Sequence, residues 1–284
     1  MFEAIRRFFL EAGFLEVETP VRLEVPAMEL HIDAEPSGAG YLRTSPELHM
    51  KRLLAAGYER IFQIGPCFRK GERGALHHPE YTLLEWYRAN AGYLDLVNDT
   101  EALLGRVVRA AGPALRRDLD FTPPWPRIAV REAFLQWAGW DPVAHYDEDR
   151  FNTDLAGRIE PRLPRDRPAI LMDYPAAAAA LARRQPGNEA VAERWELYLG
   201  GLEVANAFGE LTDASEQRRR FKDWAAARQA AGRPVYPLDE AFLGALETGL
   251  PPSGGIALGI DRLVMALVGA ASLDDVMAFR EDLR

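Results

Sequence analysis

Two predicted strands carry the most reactive side chains of this sequence. The strands cover residues 61–69 and 81–88 and are joined by a charged loop that contains glycine, so they form a long hairpin. Alternation along a strand puts their polar and aromatic residues on one face: Gln63, Cys67 and Arg69, and Tyr81, Glu85 and Tyr87. A surface with a carboxylate, a guanidinium, an amide and two rings suits a charged ligand with a flat ring better than it suits a core. The hairpin therefore predicts a binding site.

A glycine-rich strand is predicted at 254–260. Gly255, Ala257 and Gly259 share one face, the apolar residues take the other, and Arg262 follows directly. Small residues let a ligand approach the backbone closely. Close packing of a helix against the strand explains the pattern equally well. The segment lacks the glycine spacings of dinucleotide and P-loop sites, so neither of those is supported.

Two carboxylates and an amide occur within eight residues at Glu203, Asn206 and Glu210. Carboxylates suit a Mg²⁺ ion that protein and phosphates hold jointly. On an ideal strand Glu203 and Glu210 point to opposite faces, so shared ligation requires a bend or bulge between them. The alternative is an edge strand with solvated carboxylates.

Several other signals have a structural explanation. Glu47 fits a capping box with Thr44, three residues before it. His77 and His78 have no third ligand at a zinc spacing. Cys67 is the only cysteine, which excludes an internal disulfide and predicts a small buried side chain.

Hydrophobic periodicity and caps predict the elements that must position these residues. Helices are expected at 2–12, 44–56, 93–108, 128–160, 176–184, 213 onward and 261–267. Further strands are expected at 14–25, 169–174, 193–199 and 202–210, the last two joined by a Gly200–Gly201 turn. Hairpins alternating with helices predict an α+β fold, an antiparallel sheet with helices packed on it.

Composition narrows the class of protein. The chain has 284 residues, 48% hydrophobic and 27% charged, with a net charge of −9. This acidic balance disfavours tRNA as a partner, because no long-range field gathers phosphates. The longest small or apolar run, 174–182, is about half of the ~18 residues that span a bilayer. The amino terminus is charged and lacks the pattern of a signal peptide, so we expect a cytoplasmic protein that does not contact membranes.

Four segments together resemble the catalytic core of class II aminoacyl-tRNA synthetases, and most closely that of the lysyl-type enzymes. They are Gly13–Pro20, Phe68–Tyr87, Gly200–Asp213 and Gly255–Arg262. The resemblance implies a class II synthetase-like antiparallel sheet flanked by helices. It also implies a homodimer, because the first segment usually forms the dimer interface.

The catalytic pattern begins almost at Met1, so we expect one catalytic domain over 1–284 and no anticodon-binding domain. A more variable helical insertion is expected at about 113–165. This core-only form, with Leu84–Arg88 and with Ala257 where lysyl-tRNA synthetases have glycine, resembles the elongation factor P lysine ligases. That family uses ATP to activate a lysine, typically (R)-β-lysine, as an acyl adenylate. It then joins the lysine to a lysine side chain of elongation factor P.

The resemblance also implies roles for individual residues. Arg69 would grip the α-phosphate, while Tyr81 and Arg262 would cover the two faces of adenine, which makes Arg69 and Arg262 the catalytic cations. The remaining nucleotide-binding positions are Glu72, His77, His78, Glu203, Val204 and Gly259. The lysine-binding positions are Ser45, Glu47, Tyr87, Asn206, Glu210 and Ala257. Glu203 and Glu210 would hold Mg²⁺.

Some positions depart from the family pattern. Gly71 falls where a nucleotide-contacting glutamate is usual, and Glu72 is the candidate to replace it. His78 stands where the family has asparagine. The methyl group of Ala257 projects beside the amino acid, and one carbon can discriminate substrates by roughly 1–3 kcal/mol. We therefore expect a preference for β-lysine over α-lysine.

Two other functions compete with this interpretation. One is a minimal lysyl-tRNA synthetase-like enzyme that acylates tRNA or another acceptor. The other is a catalytically silent regulatory binding protein that keeps the synthetase-like fold.

Overall fold

The computed structural model describes residues 1–112, 115–116 and 118–279. The helices are α1 (Phe2–Glu11), α2 (Glu47–Ala55), α3 (Tyr93–Ala111), α4 (Val130–Trp137), α5 (Glu148–Asp154), α6 (Ala214–Ala230), α7 (Glu240–Gly249) and α8 (Ile260–Val268). The strands are β1 (Leu15–Glu16), β2 (Arg22–Leu23), β3 (Pro36–Ser37), β4 (Gly40–Leu42), β5 (Arg60–Phe68), β6 (Glu80–Ala89), β7 (Arg127–Ala129), β8 (Ala169–Pro175), β9 (Arg184–Gln185), β10 (Asn188–Leu199), β11 (Leu202–Gly209) and β12 (Ser253–Gly259).

One large sheet organises the described residues. Its strand order is β1-β5-β6-β12-β11-β10-β8-β7, and β9 pairs with β10. The long central strands are antiparallel, whereas the β1–β5 and β7–β8 pairs at the edges are parallel. Strands β2, β4 and β3 form a small separate sheet. The predicted α+β fold is therefore confirmed, with a sheet that is mixed at its edges.

The two faces of the sheet have different coverings. Helices α1, α3 and α8 bury one face, where Phe9, Phe62, Trp86 and Leu258 belong to the main core. Helices α2, α6 and α7 pack beside the other face around Phe221 and other apolar residues. Because alternate residues of β6 and β12 enter the main core, the intervening residues are left to face a cavity on the opposite side.

Residues between β7 and β8 form a third cluster against the sheet. Phe134 stacks on Phe151 with ring centroids 4.8 Å apart, and both pack near Tyr174 of β8. Helix was expected throughout 128–160, but the segment begins with strand β7. It continues through α4 and α5 into a single π-helical turn at Leu155–Ile159. Pairing of β7 with β8 overrides the helical periodicity at its start.

Three further predictions of local structure were wrong. The strand expected over 14–25 is reduced to β1 and β2, separated by the loop that contains Pro20. The helix expected over 176–184 is only a 3₁₀ turn at Ala176–Ala178, because Ala182 forms a β-bridge with Glu210. Thr44 does not cap α2, since the Glu47 amide donates to Ser45 Oγ instead.

None of the helices in the described ranges is long and apolar enough to cross a membrane.

Candidate active site

A cavity of about 550 Å³ lies on the face of the sheet that α2 and the 127–163 segment border. It gathers every site residue expected from the sequence: Ser45, Glu47, Arg69, Glu72, His77, His78, Tyr81, Tyr87, Glu203, Val204, Asn206, Glu210, Ala257, Gly259 and Arg262. Their roles toward a ligand stay predictions, but their convergence from four separate segments, 45–47, 69–87, 203–210 and 257–262, is a property of the fold.

Strand register builds the floor of the cavity. Residues opposite one another on neighbouring strands form one polar row across β5, β6, β12, β11 and β10: Gln63, Glu85, Ala257, Asn206 and Glu196. Residues in register share a face of the sheet, so the row points to the cavity side, and every member except the buried Gln63 lines the cavity. Ala257 is the middle residue of the row, between Glu85 and Asn206, and its methyl group is the smallest side chain there.

A β-bulge brings two carboxylates, Glu203 in β11 and Glu210 directly after it, to the same side of the sheet. Tyr198 pairs with Glu203 and Leu197 pairs with Ala205, so Val204 is an extra residue with no counterpart on β10. The extra residue inverts the alternation, and Glu203 therefore shares the cavity with Glu210. This is the bulge that shared ligation by the two carboxylates requires.

Two arginines enter the end of the cavity nearest the β5–β6 loop. Arg69 lies over the Tyr81 ring, with its Cζ 5.2 Å from the ring centroid, and 3.7 Å from a carboxylate oxygen of Glu72. Arg262 donates to the Leu76 carbonyl at 3.1 Å and lies 3.7 Å from a Glu203 oxygen. Cations beside an aromatic ring match the charge and shape of a nucleotide phosphate and base.

The neighbouring loop is fixed by backbone contacts. The Thr82 amide donates to Asp261 Oδ2 at 2.6 Å, which ties the start of β6 to the start of α8. His78 is buried and its Nδ1 donates to the Glu80 carbonyl at 3.1 Å. Its Nε2 has no hydrogen-bond partner among the described residues, which leaves this atom for a hydrogen bond to a ligand. Burial, followed by the charge of Arg262, lowers the pKa of His77.

The opposite end of the cavity is rich in carboxylates. Glu85 is fully buried and accepts hydrogen bonds from Ser45 Oγ at 2.6 Å and from Tyr87 Oη at 3.0 Å. Burial, reinforced by the charge of Glu47, raises the pKa of Glu85 to about 8. Ionised carboxylates in this position require a cationic partner, and the amine of an amino acid can supply one.

Glu47 and Glu210 share a buried lysine. Lys51 Nζ lies 2.5 Å from Glu47 Oε1 and 2.5 Å from Glu210 Oε2. Burial raises the pKa of Glu210 to about 8, against the lowering influence of Lys51. Gly255 permits this arrangement, because a Cβ atom there would collide with Glu210 Oε1 and the Tyr87 ring. Glu47 therefore pairs along its own helix instead of completing a capping box.

A hydrogen-bonded network forms the wall next to the 127–163 segment. Glu196 Oε2 accepts from Tyr174 Oη at 2.5 Å and from Tyr198 Oη at 2.8 Å, and Glu196 Oε1 accepts from Arg194 at 2.6 Å. The pKa of Glu203 is raised by burial and then by the charge of Glu196. This segment was expected to be a variable insertion with no assigned role, yet Glu160 and Phe151 reach the cavity.

Three groups of the site were not assigned individual roles from the sequence: Glu85 and Glu196, which line the cavity, and Lys51, which lies behind it. Alternation placed Glu85 on the polar face beside Tyr87, but its contact with Ser45 depends on tertiary structure. The spacing of Glu47 and Lys51, one helical turn, is a sequence signal for their pairing. Glu196 could have been found only by aligning β10 with β11, since its partner in register is Asn206.

Comparison with known proteins agrees with this geometry. Residues 1–282 match the family model described as tRNA synthetases class II (D, K and N). A protein of Erwinia tasmaniensis is 41% identical, with the match covering 98% of this chain and 92% of that protein. Similar proteins of Haemophilus influenzae and Proteus mirabilis are 39% and 40% identical, covering 98% and 97% of this chain and 92% and 91% of theirs. All three carry the name elongation factor P–(R)-β-lysine ligase.

Proposed function

The chain belongs to the class II tRNA synthetase family (D, K and N), and from that premise we propose an ATP-dependent, AMP-forming ligase for elongation factor P. It activates a lysine as an acyl adenylate and transfers it to a lysine side chain of that protein. The name of the relatives supports the proposal. The observation that carries it is one cavity with arginines at one end and buried carboxylates at the other.

The carboxylate-rich end supports a lysine as the substrate. A lysine has two amines, and Glu47, Glu85 and Glu210 offer acceptors for both. The side-chain oxygens of Asn206 and Glu210 include buried atoms with no hydrogen-bond partner in the described part of the chain. Unsatisfied buried acceptors are costly unless a ligand donates to them. The position of Ala257 in the polar row favours (R)-β-lysine, whose amine lies one carbon farther from the carboxylate.

The arginine-rich end supports ATP as the second substrate. Arg69 would bind the α-phosphate, and Tyr81 and Arg262 would enclose the adenine. The remaining nucleotide contacts would come from Glu72, His77, His78, Val204, Gly259 and Glu203. Fixed guanidinium groups neutralise the charge that develops on the phosphate, and they need no reorganisation at the moment of reaction.

The donor set at Glu203 fits Mg²⁺, which commonly binds one or two carboxylates together with phosphate oxygens. Glu203 lines the cavity next to Arg262, where the phosphates would lie. Glu210 is the second candidate ligand, although its carboxylate also faces Lys51. When bound, the ion would neutralise phosphate charge. The described residues hold no group of three His, Cys, Asp or Glu side chains that could ligate a metal unaided.

The proposed reaction has two balanced steps. A carboxylate oxygen of lysine attacks the α-phosphorus of ATP, and the bond to pyrophosphate breaks. The amine of the acceptor lysine then attacks the acyl carbonyl, loses a proton, and AMP leaves. The residues of the cavity mainly align the two substrates and balance charge, because the anhydride itself is a good electrophile.

We further propose a cytoplasmic homodimer that does not use tRNA. Support for the dimer comes from the exposed apolar side chains of α1 and β1: Phe2 is 42%, Leu10 57% and Leu15 49% exposed. Burial of such a patch in a second copy is favourable. Light scattering that gives the mass of a single chain would contradict the dimer.

The proposal is tested in two stages with the purified chain. ATP–pyrophosphate exchange measured with α-lysine and with (R)-β-lysine reports adenylate formation. Mass analysis of elongation factor P and of tRNA, each incubated with ATP and lysine, then reports the acceptor. We expect exchange with both lysines, faster with the β-isomer, and a mass gain on elongation factor P alone. Exchange with a gain on tRNA would identify a synthetase-like enzyme, and no exchange at high protein concentration would indicate a silent regulator.

A further inference from the structure

The sequence contains three lysines, Lys51, Lys70 and Lys222. Lys70 and Lys222 are exposed, whereas the side chain of Lys51 is 0% exposed. An ammonium group is almost never fully buried unless it is paired. The buried ammonium group of Lys51 therefore requires partners of opposite charge.

The partners of Lys51 come from two different elements. Glu47 precedes it by one turn of α2, and Glu210 follows the end of β11. Both carboxylates line the cavity, whereas Lys51 lies behind them. One nitrogen thus holds two cavity-lining groups together from outside the cavity.

Neither oxygen of Glu210 makes a hydrogen bond within the described part of the chain, although Lys51 Nζ lies 2.5 Å from Oε2 as an ion-pair partner. Glu210 Oε1 is buried and has no hydrogen-bond partner among the residues described. It fills the space above Gly255 that a Cβ atom would need, beside the Tyr87 ring and at the lining of the cavity. Because Lys51 engages Oε2, a cationic ligand in the cavity meets Oε1.

We infer that Lys51 is a positioning residue of the amino-acid site, which fixes Glu47 and Glu210 so that the substrate ammonium binds at Glu210 Oε1. This inference rests on the proposed function. Without Lys51 the two carboxylates repel each other, so Glu210 Oε1 no longer keeps the position at which the substrate ammonium binds.

The first test is the Lys51→Met variant, which keeps the length of the side chain and removes the charge. Loss of a charge-assisted contact predicts a KM for lysine about 10- to 100-fold higher in pyrophosphate exchange. The KM for ATP stays within about twofold, because the nucleotide end does not contact Lys51. Lys51→Gln, whose amide can still donate to both carboxylates, recovers part of the loss. Lys222→Met on exposed α6 is the matched control. An unchanged KM for lysine in Lys51→Met overturns the inference.

A second measurement needs no variant. In protein labelled with ¹⁵N-lysine, NMR observes three ammonium groups, and only that of Lys51 should resist exchange with solvent. Its resonance should shift when lysine is added and stay in place with a non-hydrolysable ATP analogue. No shift at saturating lysine, in a preparation active in pyrophosphate exchange, overturns the inference and leaves the proposed function intact. A wild-type preparation without exchange activity contradicts the proposed function itself.

Discussion

Replacement of Glu85 by glutamine tests whether the raised pKa of this buried carboxyl group makes the stability of the protein depend on pH. The native pKa of Glu85 is about 8, whereas the unperturbed value is 4.5. Between these pH values the folded protein retains a proton that the unfolded chain has lost. Stability therefore falls as pH rises through this range. The gap of about 3.5 pH units, at ~1.4 kcal/mol each, corresponds to a loss of up to ~5 kcal/mol.

Glu85→Gln removes this pH dependence, because an amide does not titrate. The amide nitrogen cannot accept, so either Ser45 or Tyr87 loses an acceptor, at a cost of ~1–2 kcal/mol. We expect the variant to be less stable than wild type by ~1–2 kcal/mol at pH 5 and more stable by ~3 kcal/mol at pH 8.5.

Urea unfolding of both proteins at the two pH values measures the difference directly. Other buried carboxyls titrate in both proteins, so their contribution cancels in the comparison. A stability difference that keeps the same sign and size at pH 5 and pH 8.5 would refute the assignment of the proton to Glu85. In pyrophosphate exchange the same variant should show a raised KM for lysine, since an amide, unlike the carboxyl group, cannot lose a proton to balance the charge of a bound amine.

Three other substitutions have distinct expected outcomes. Gly255→Ala should lower pyrophosphate exchange about 100-fold or more, because its Cβ would collide with Glu210, while Gly244→Ala on α7, with open space around its Cβ, should not. Ala257→Gly should bring the efficiencies with α-lysine and β-lysine closer by about 10-fold or more, and equal efficiencies in the wild type would contradict this. Phe134→Ala, at a site with 0% exposure, should lower the free energy of unfolding by ~3–5 kcal/mol in urea titrations.

Local alternation was sufficient to predict the hairpin face. Its period of two placed Glu85 and Tyr87 together, and the observed register, with Gln63 opposite Glu85, matches the polar faces of the two strands. Parity also showed that Glu203 and Glu210 can act together only if a bend or bulge separates them. The sequence could not locate that bulge, because its position at Val204 depends on how β10 and β11 pair.

The failures arose where tertiary contacts override local preference. Alanine has the highest helix propensity, so the alanine-rich segment 176–184 was predicted to be a helix. In the folded chain Arg183 donates its amide to Gly209 and accepts at its carbonyl from Glu193, which extends the sheet instead. Similarly, Thr44 has the spacing of a cap, but its hydroxyl donates to Glu29 across the cavity rim.

The polar row on the sheet has a consequence for how substrate preference can evolve. Neighbouring residues of the row lie ~4.8 Å apart, which is the distance between adjacent strands. Moving an amine along an aliphatic chain by one carbon displaces it by only ~1.5 Å, the length of a single bond. Moving a polar group from one strand of the row to the next would therefore shift the binding position too far to distinguish lysine isomers. Smaller adjustments come from the size of a single side chain in the row. A new substrate preference can therefore arise without a change in the backbone.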